Sequence, residues 1–148
     1  MKLSTASGII SFAMKLEGES INFYKDAAQK YVEARDIFLS FGEENKRNKA
    51  LLKRVYYEVI SDALETGFSF EGLNTDDYPI EMGLINDTNY SDVLRRAMEM
   101  EDRIQRFYRA AAEKSQSLMA DIPRAFERIA KKRNERKLKL KLLQEDHE

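Results

Sequence analysis

Apolar residues recur along most of this chain at spacings of three and four, the period of an α-helix that buries one face. Four such stripes can be traced. The first runs through Ile10, Ala13, Glu17, Ile21, Tyr24, Ala28 and Tyr31, and the second through Phe38, Phe41, Asn45, Asn48, Leu52, Val55 and Val59. The third comprises Leu94, Ala97, Glu101, Ile104, Tyr108 and Ala111, and the fourth Ile122, Phe126, Ile129, Arg133, Arg136, Leu140 and Leu143. No stretch of any length shows the two-residue alternation of a half-buried strand. The expected fold class is therefore all-α, with one domain over residues 1–148.

Local signals set the expected boundaries. Ser7 suits an N-cap for a first helix reaching about Tyr31, and a second helix is expected from about Ala34 to Glu65, stopped near Gly67. Asn89, with Asp92 three residues on, resembles a capping box for the third helix, and Asp121 with Pro123 opens the fourth. Between them, Gly67 to Thr88 holds three glycines, Pro79 and five acidic residues but no basic one, the composition of an irregular connection. Short, long and short connections predict two helical hairpins joined by a long crossover. Gly18 and Gly42 each cost a helix about 1 kcal/mol relative to alanine, which suggests close helix approach as the compensation.

The two halves repeat. "FAMKLEGESINFYKDAAQK" (Phe12 to Lys30) aligns with "RAMEMEDRIQRFYRAAAEK" (Arg96 to Lys114). The alignment matches Ala13 with Ala97, Met14 with Met98, Glu17 with Glu101, Phe23 with Phe107, Tyr24 with Tyr108 and Ala27-Ala28 with Ala111-Ala112. A duplicated helical hairpin accounts for the ordered match better than a shared helical vocabulary does. Each stripe is also interrupted by polar residues: Glu17, Asn45 and Asn48, Glu101, and Arg133 and Arg136. One charged residue on an apolar stripe usually packs its stem and holds its head in water. Four interruptions at matching depth point instead to a shared polar layer inside a four-helix bundle.

Composition narrows the chemistry. The 148 residues are 43% hydrophobic and 34% charged, with a formal charge of −1, so no net field draws the whole molecule to nucleic acid or to an anionic membrane. The absence of cysteine excludes disulfides and thiolate-bound metal, and the single histidine, His147, reads as a solvated tail residue. No apolar run is long enough to span a bilayer and the N-terminus lacks the pattern of a signal peptide, so a cytoplasmic location is expected. The fourth helix carries nine Lys or Arg from Arg124 to Lys141 against Glu127 and Glu135. With no interleaved aromatic for base stacking, and with an acidic connection available as an internal partner, that run reads as a solvated face rather than a nucleic-acid surface.

At this point the residues resemble a family. "AMKLEGESINFY" and "AMEMEDRIQRFY" look like the first and third helices of the ferritin-like superfamily, most closely its short rubrerythrin-like members. In those proteins one Glu from each of two helices and a Glu-x-x-His from each of the other two hold two irons. The resemblance implies a ferritin-like four-helix bundle and carries the metal-bridging Glu over to Glu17 and Glu101. "IFLSFGEENKRNKALL" resembles the second helix with Asn45 and Asn48 at the ligand Glu and His positions. "AFERIAKKRNERKLKLKLL" resembles the fourth with Arg133 and Arg136 there. Shifting the register of the second helix by one brings in Glu44 but sets Arg47 where His should be.

Four carboxylates balance two divalent irons in the family's layer. Here two carboxylates face two guanidiniums, a layer that is neutral without metal, and no metal or other cofactor is expected. Glu17 and Glu101 are expected to pair with Arg133 and Arg136, bridged by Asn45 and Asn48, with Tyr24 and Tyr108 as possible hydrogen-bond partners of the glutamates. The implied function is a non-catalytic bundle that has lost its di-iron site and acts in interaction or as a scaffold, with no catalytic residue assigned. The alternative is a rubrerythrin-like oxidoreductase or metal binder with an atypical residual site. A homodimer is expected from the resemblance and from the aromatic "RVYYEV" at Arg54 to Val59, more apolar than one buried stripe requires. The sequence gives no protein partner.

Overall fold

The computed structural model describes residues 2–3, 5–61, 73–79, 89–116 and 121–147. Four long helices dominate: α1 (Ala6–Lys30), α2 (Arg35–Ser61), α3 (Tyr90–Lys114) and α4 (Asp121–His147). Helices α1 and α2 pack along each other as one hairpin and α3 and α4 as a second, with the two hairpins laid face to face. Two-residue strands, β1 (Lys2–Leu3) and β2 (Leu73–Asn74), pair antiparallel and tie the N-terminus to the crossover. Both buried leucines of that pair, Leu3 and Leu73, join the core. No helix among the described residues is long and apolar enough to cross a membrane.

The helix ends follow capping chemistry, with one correction. Thr5, not Ser7, is the N-cap of α1: its backbone is extended and its hydroxyl accepts the Gly8 N–H at 3.0 Å, while Ser7 lies inside the first turn. Asn89 caps α3 as expected, its side chain accepting the Asp92 N–H at 2.8 Å. A 3-10 turn, Val32–Ala34, joins α1 to α2, and Arg35 braces it by donating to the Ala28 carbonyl at 3.1 Å. Residues 62–65, expected to end the second helix, lie outside the described residues, as do most of 67–88. The described part of the crossover rests on α3, where Tyr78 packs edge-on against Phe107 and Arg103 donates to the Pro79 carbonyl at 2.9 Å.

The core repeats as the sequence does. Ile9, Ile10, Ala13, Leu16, Glu17, Phe23, Tyr24, Ala27 and Ala28 are buried on α1, and their counterparts Val93, Leu94, Ala97, Met100, Glu101, Phe107, Tyr108, Ala111 and Ala112 are buried on α3. Phe38, Phe41, Asn45, Asn48 and Leu52 on α2 correspond in the same way to the buried Phe126, Ile129, Arg133, Arg136 and Leu140 on α4. Ring contacts obey the same relation: Tyr24 stacks on Phe38 with centroids 5.9 Å apart, and Tyr108 lies 6.1 Å from Phe126.

Two expectations fail at the edges of this core and a third, for His147, holds only in part. Gly18 and Gly42 are not sites of close approach. A Cβ on Gly18 would meet only the Lys49 ammonium, at 3.5 Å, and one on Gly42 would meet nothing within 4 Å. Ile21 is only half-buried because Ser20 takes the inward place. His147 is exposed but not a free tail, since it closes the last turn of α4 with its ring edge-on to Tyr90 at 4.9 Å.

Candidate functional site

The polar residues on the four stripes meet at one level of the bundle. Glu17, Asn45, Glu101 and Arg133 are fully buried, Arg136 is 2% exposed and Asn48 is 8% exposed. Helical spacing explains the convergence: each polar residue holds a position on its stripe that an apolar residue would otherwise fill, and the two hairpins bring those positions to the same depth.

Arg133 is the hub. Its Nη1 donates to both oxygens of Glu101, at 2.5 and 2.7 Å, and its Nη2 donates to Glu17 Oε2 at 2.5 Å and to the Ser20 hydroxyl at 3.2 Å. One planar guanidinium thus bridges carboxylates from both hairpins, a use of the rigid arginine fork that a lysine could not reproduce. Glu17 is further satisfied by Asn48 Nδ2 at 2.9 Å and by the Tyr108 hydroxyl at 2.8 Å. Tyr24, the repeat counterpart of Tyr108, sets its hydroxyl against Glu101 without a well-formed hydrogen bond. Both expected tyrosines therefore belong to the layer, each facing the glutamate of the opposite hairpin.

Arg136 is placed differently from expectation. It lies 3.6 Å from Glu101, but its hydrogen bonds go from Nε to Glu44 Oε1 at 2.8 Å and from Nη1 to Asn45 Oδ1 at 2.6 Å. Its Nη2 also approaches the same Glu44 oxygen, at 2.7 Å. The guanidinium packs over Phe41, 5.2 Å from the ring centroid, and 6.0 Å from that of Tyr24, an arrangement favourable to a desolvated cation. Glu44 is the residue that stripe reasoning left out. It sits one position off the α2 stripe, at the rim, and is reached because an arginine side chain is long. The asparagines do not bridge the two ion pairs as a set: Asn48 serves Glu17 while Asn45 serves Arg136. With Glu44 included the layer holds three carboxylates against two guanidiniums, not two against two.

The electrostatics hold Arg133 charged and the phenols neutral. Burial disfavours the guanidinium's charge, but Glu101 and Glu17 together outweigh it, so Arg133 is raised well above an ordinary arginine. Tyr108 is pushed well above the ordinary tyrosine range by burial and then by the Glu17 carboxylate, and Tyr24 by burial and then by Glu101.

The two irons held by the family that the chain resembles do not fit this donor set. Both Glu101 oxygens and Glu17 Oε2 are already taken by a guanidinium that keeps its proton, Glu17 Oε1 accepts from the Asn48 amide, and the buried polar groups on α2 are amides. Among the described residues no three His, Cys, Asp or Glu side chains are grouped to hold a metal ion. Divalent cations here would face Arg133 and Arg136 at contact distance, and uncompensated buried charge costs several kcal/mol.

In comparisons with protein-family models, with curated proteins and with solved structures, nothing matches this chain.

Proposed function

We propose that the chain is a ferritin-like bundle of the rubrerythrin-like kind whose di-iron layer has been replaced by ion pairs and amides, and that it acts without catalysis, in interaction or as a scaffold. The observation that carries this reading is the Arg133 guanidinium lodged between Glu17 and Glu101, a fixed cation where the resemblance calls for metal. The repeated Glu and Tyr of α1 and α3 support it. So does the coincidence of Asn45, Asn48, Arg133 and Arg136 with the four replaced ligand positions. Assembly as a homodimer belongs to the same reading and draws on "RVYYEV": Val55 is buried, but Tyr57 is 57% exposed, more than a bundle with one buried face per helix requires.

A second reading, an atypical metal binder or residual oxidoreductase, draws on Glu44, which adds a third carboxylate to the layer. Metal analysis of the protein purified from iron-rich medium separates the two. The first reading expects no stoichiometric iron, whereas about two irons per chain, the family's complement, would favour the second.

A further inference from the structure

A cleft of about 280 Å³ opens between α2 and α4, directly outside the buried layer. Its floor is Asn48 and Leu51, and its walls carry Arg47 and Arg54 from α2 and Arg128 and Lys132 from α4. Glu44 also lines it, but that carboxylate is held by Arg136. Among the described residues no carboxylate pairs with Arg47, Arg54 or Arg128, and Lys132 has only a long contact to Glu135, at 3.9 Å. Some cations elsewhere on the surface are matched, Lys46 with Glu43, Arg95 with Glu99, Arg106 and Lys137 with Asp102, and others such as Arg109 and Lys139 stand outside any ion pair among the described residues; what distinguishes the cleft is that four cations converge on one concavity. Four converging positive charges around one concavity repel each other in the free protein, so a concave site of this kind gains from a bound anion.

We infer that this α2–α4 cleft is a binding site for a small multivalent phosphate anion. Three of the four cations are arginines, whose planar fork matches phosphate oxygens two at a time. The volume is near the lower end of ligand pockets, which run from roughly 300 to 1,000 Å³, and favours a compact ligand over a large one. Among the described residues no aromatic side chain lines the cleft, so none of them stacks on a base, and recognition falls on the phosphate chain itself. Asn48 joins the floor of the cleft to the buried layer through its hydrogen bond to Glu17. The inference does not depend on whether the layer descends from an iron site.

Inorganic tripolyphosphate is the probe, measured by isothermal titration and by thermal melting of the full chain at constant ionic strength. Saturable binding of one tripolyphosphate per chain is expected, with a rise in Tm and affinity at least tenfold above that for inorganic phosphate. Arg47→Gln combined with Arg128→Gln should weaken binding at least tenfold, while Arg109→Gln, outside the cleft, should leave it unchanged. All three residues are exposed, so the variants keep the fold. Absence of binding at millimolar tripolyphosphate, equal loss in the Arg109→Gln control, or duplex DNA binding that exceeds tripolyphosphate and survives the double substitution would each overturn the proposal.

Discussion

Replacing Arg133 by Met keeps most of the side chain's buried stem and removes its charge. The structure sets the scale of the loss. Arg133, Glu17 and Glu101 are all fully buried, and Arg133 supplies the short contacts to both carboxylates. Removing one partner of a buried ion pair costs about 3 to 5 kcal/mol, because the other charge is left without compensation. Glu17 would retain Asn48 and Tyr108 as donors, but Glu101 would keep only Arg136 at 3.6 Å and the poorly aligned Tyr24 hydroxyl. The loss should therefore fall chiefly on Glu101. Against a total stability of about 5 to 15 kcal/mol for a typical domain, the midpoint of urea unfolding should drop severely.

Arg136→Met should cost less, about 1 to 3 kcal/mol. Its main charged partner, Glu44, has a side chain 25% exposed and can take up water, leaving the Asn45 carbonyl as the chief buried group without a partner. The triple variant Glu17→Gln, Glu101→Gln, Arg133→Met removes every charge of the central cluster and should recover at least about 2 kcal/mol relative to Arg133→Met alone. Equilibrium urea denaturation of the set measures all three. A loss under about 1 kcal/mol for Arg133→Met, or a triple variant no more stable than the single one, would refute the assignment of Arg133 as the buried hub.

Other consequences follow from the same geometry. Tyr24 and Tyr108 hold their protons well above the ordinary value of 10.0, so above that pH the unfolded chain loses protons that the folded protein keeps. The stability they contribute is fully present below pH 10 and falls as pH rises beyond it, by about 1.4 kcal/mol per pH unit for each phenol. Tyr108→Phe should make that alkaline slope shallower by about this amount, and an unchanged slope in urea midpoints would place the phenol in solvent. Gly42→Ala should stabilise the protein by about 0.5 to 1 kcal/mol, since its Cβ meets nothing; destabilisation would show a packing role for Gly42. Light scattering at micromolar concentration should give twice the 17.2 kDa chain mass and return to the monomer value with Tyr57→Lys, whereas a monomer at the outset would remove the homodimer from the proposal.

Much of this arrangement was legible because helical burial is periodic. Glu17, Glu101, Arg133, Arg136, Asn45 and Asn48 announce themselves as polar residues where the three-four spacing demands apolar ones, and the repeat fixed which pairs should correspond. What the spacing cannot report is reach. Glu44 stands about 100° around the helix from the Asn45 position and enters the layer only because Arg136 extends to it, so a stripe-based charge balance misses it. Donor and acceptor pairing was likewise illegible, since Asn48 and Asn45 are alike in sequence yet serve opposite sides of the layer. Thr5 and Ser7 are both competent caps two residues apart, and no local signal in the sequence chooses between them. The glycines misled because a helix tolerates about 1 kcal/mol of poor propensity without any neighbour requiring it.

The most direct measurement of the proposed function is iron uptake by the protein with the four positions that the proposal assigns to lost ligands converted to the Glu-x-x-His ligands of the family it resembles. Asn45→Glu, Asn48→His, Arg133→Glu and Arg136→His together take away both guanidiniums and supply two carboxylates and two imidazoles beside Glu17 and Glu101. Without metal the crowded carboxylates should lower stability. With ferrous iron under anaerobic conditions the variant should bind about two irons per chain and regain stability by binding linkage, while the natural protein, titrated in parallel, binds none. A folded fourfold variant that takes up no iron, or a natural protein that takes up two, would contradict the account of an iron site replaced by an arginine-centred layer.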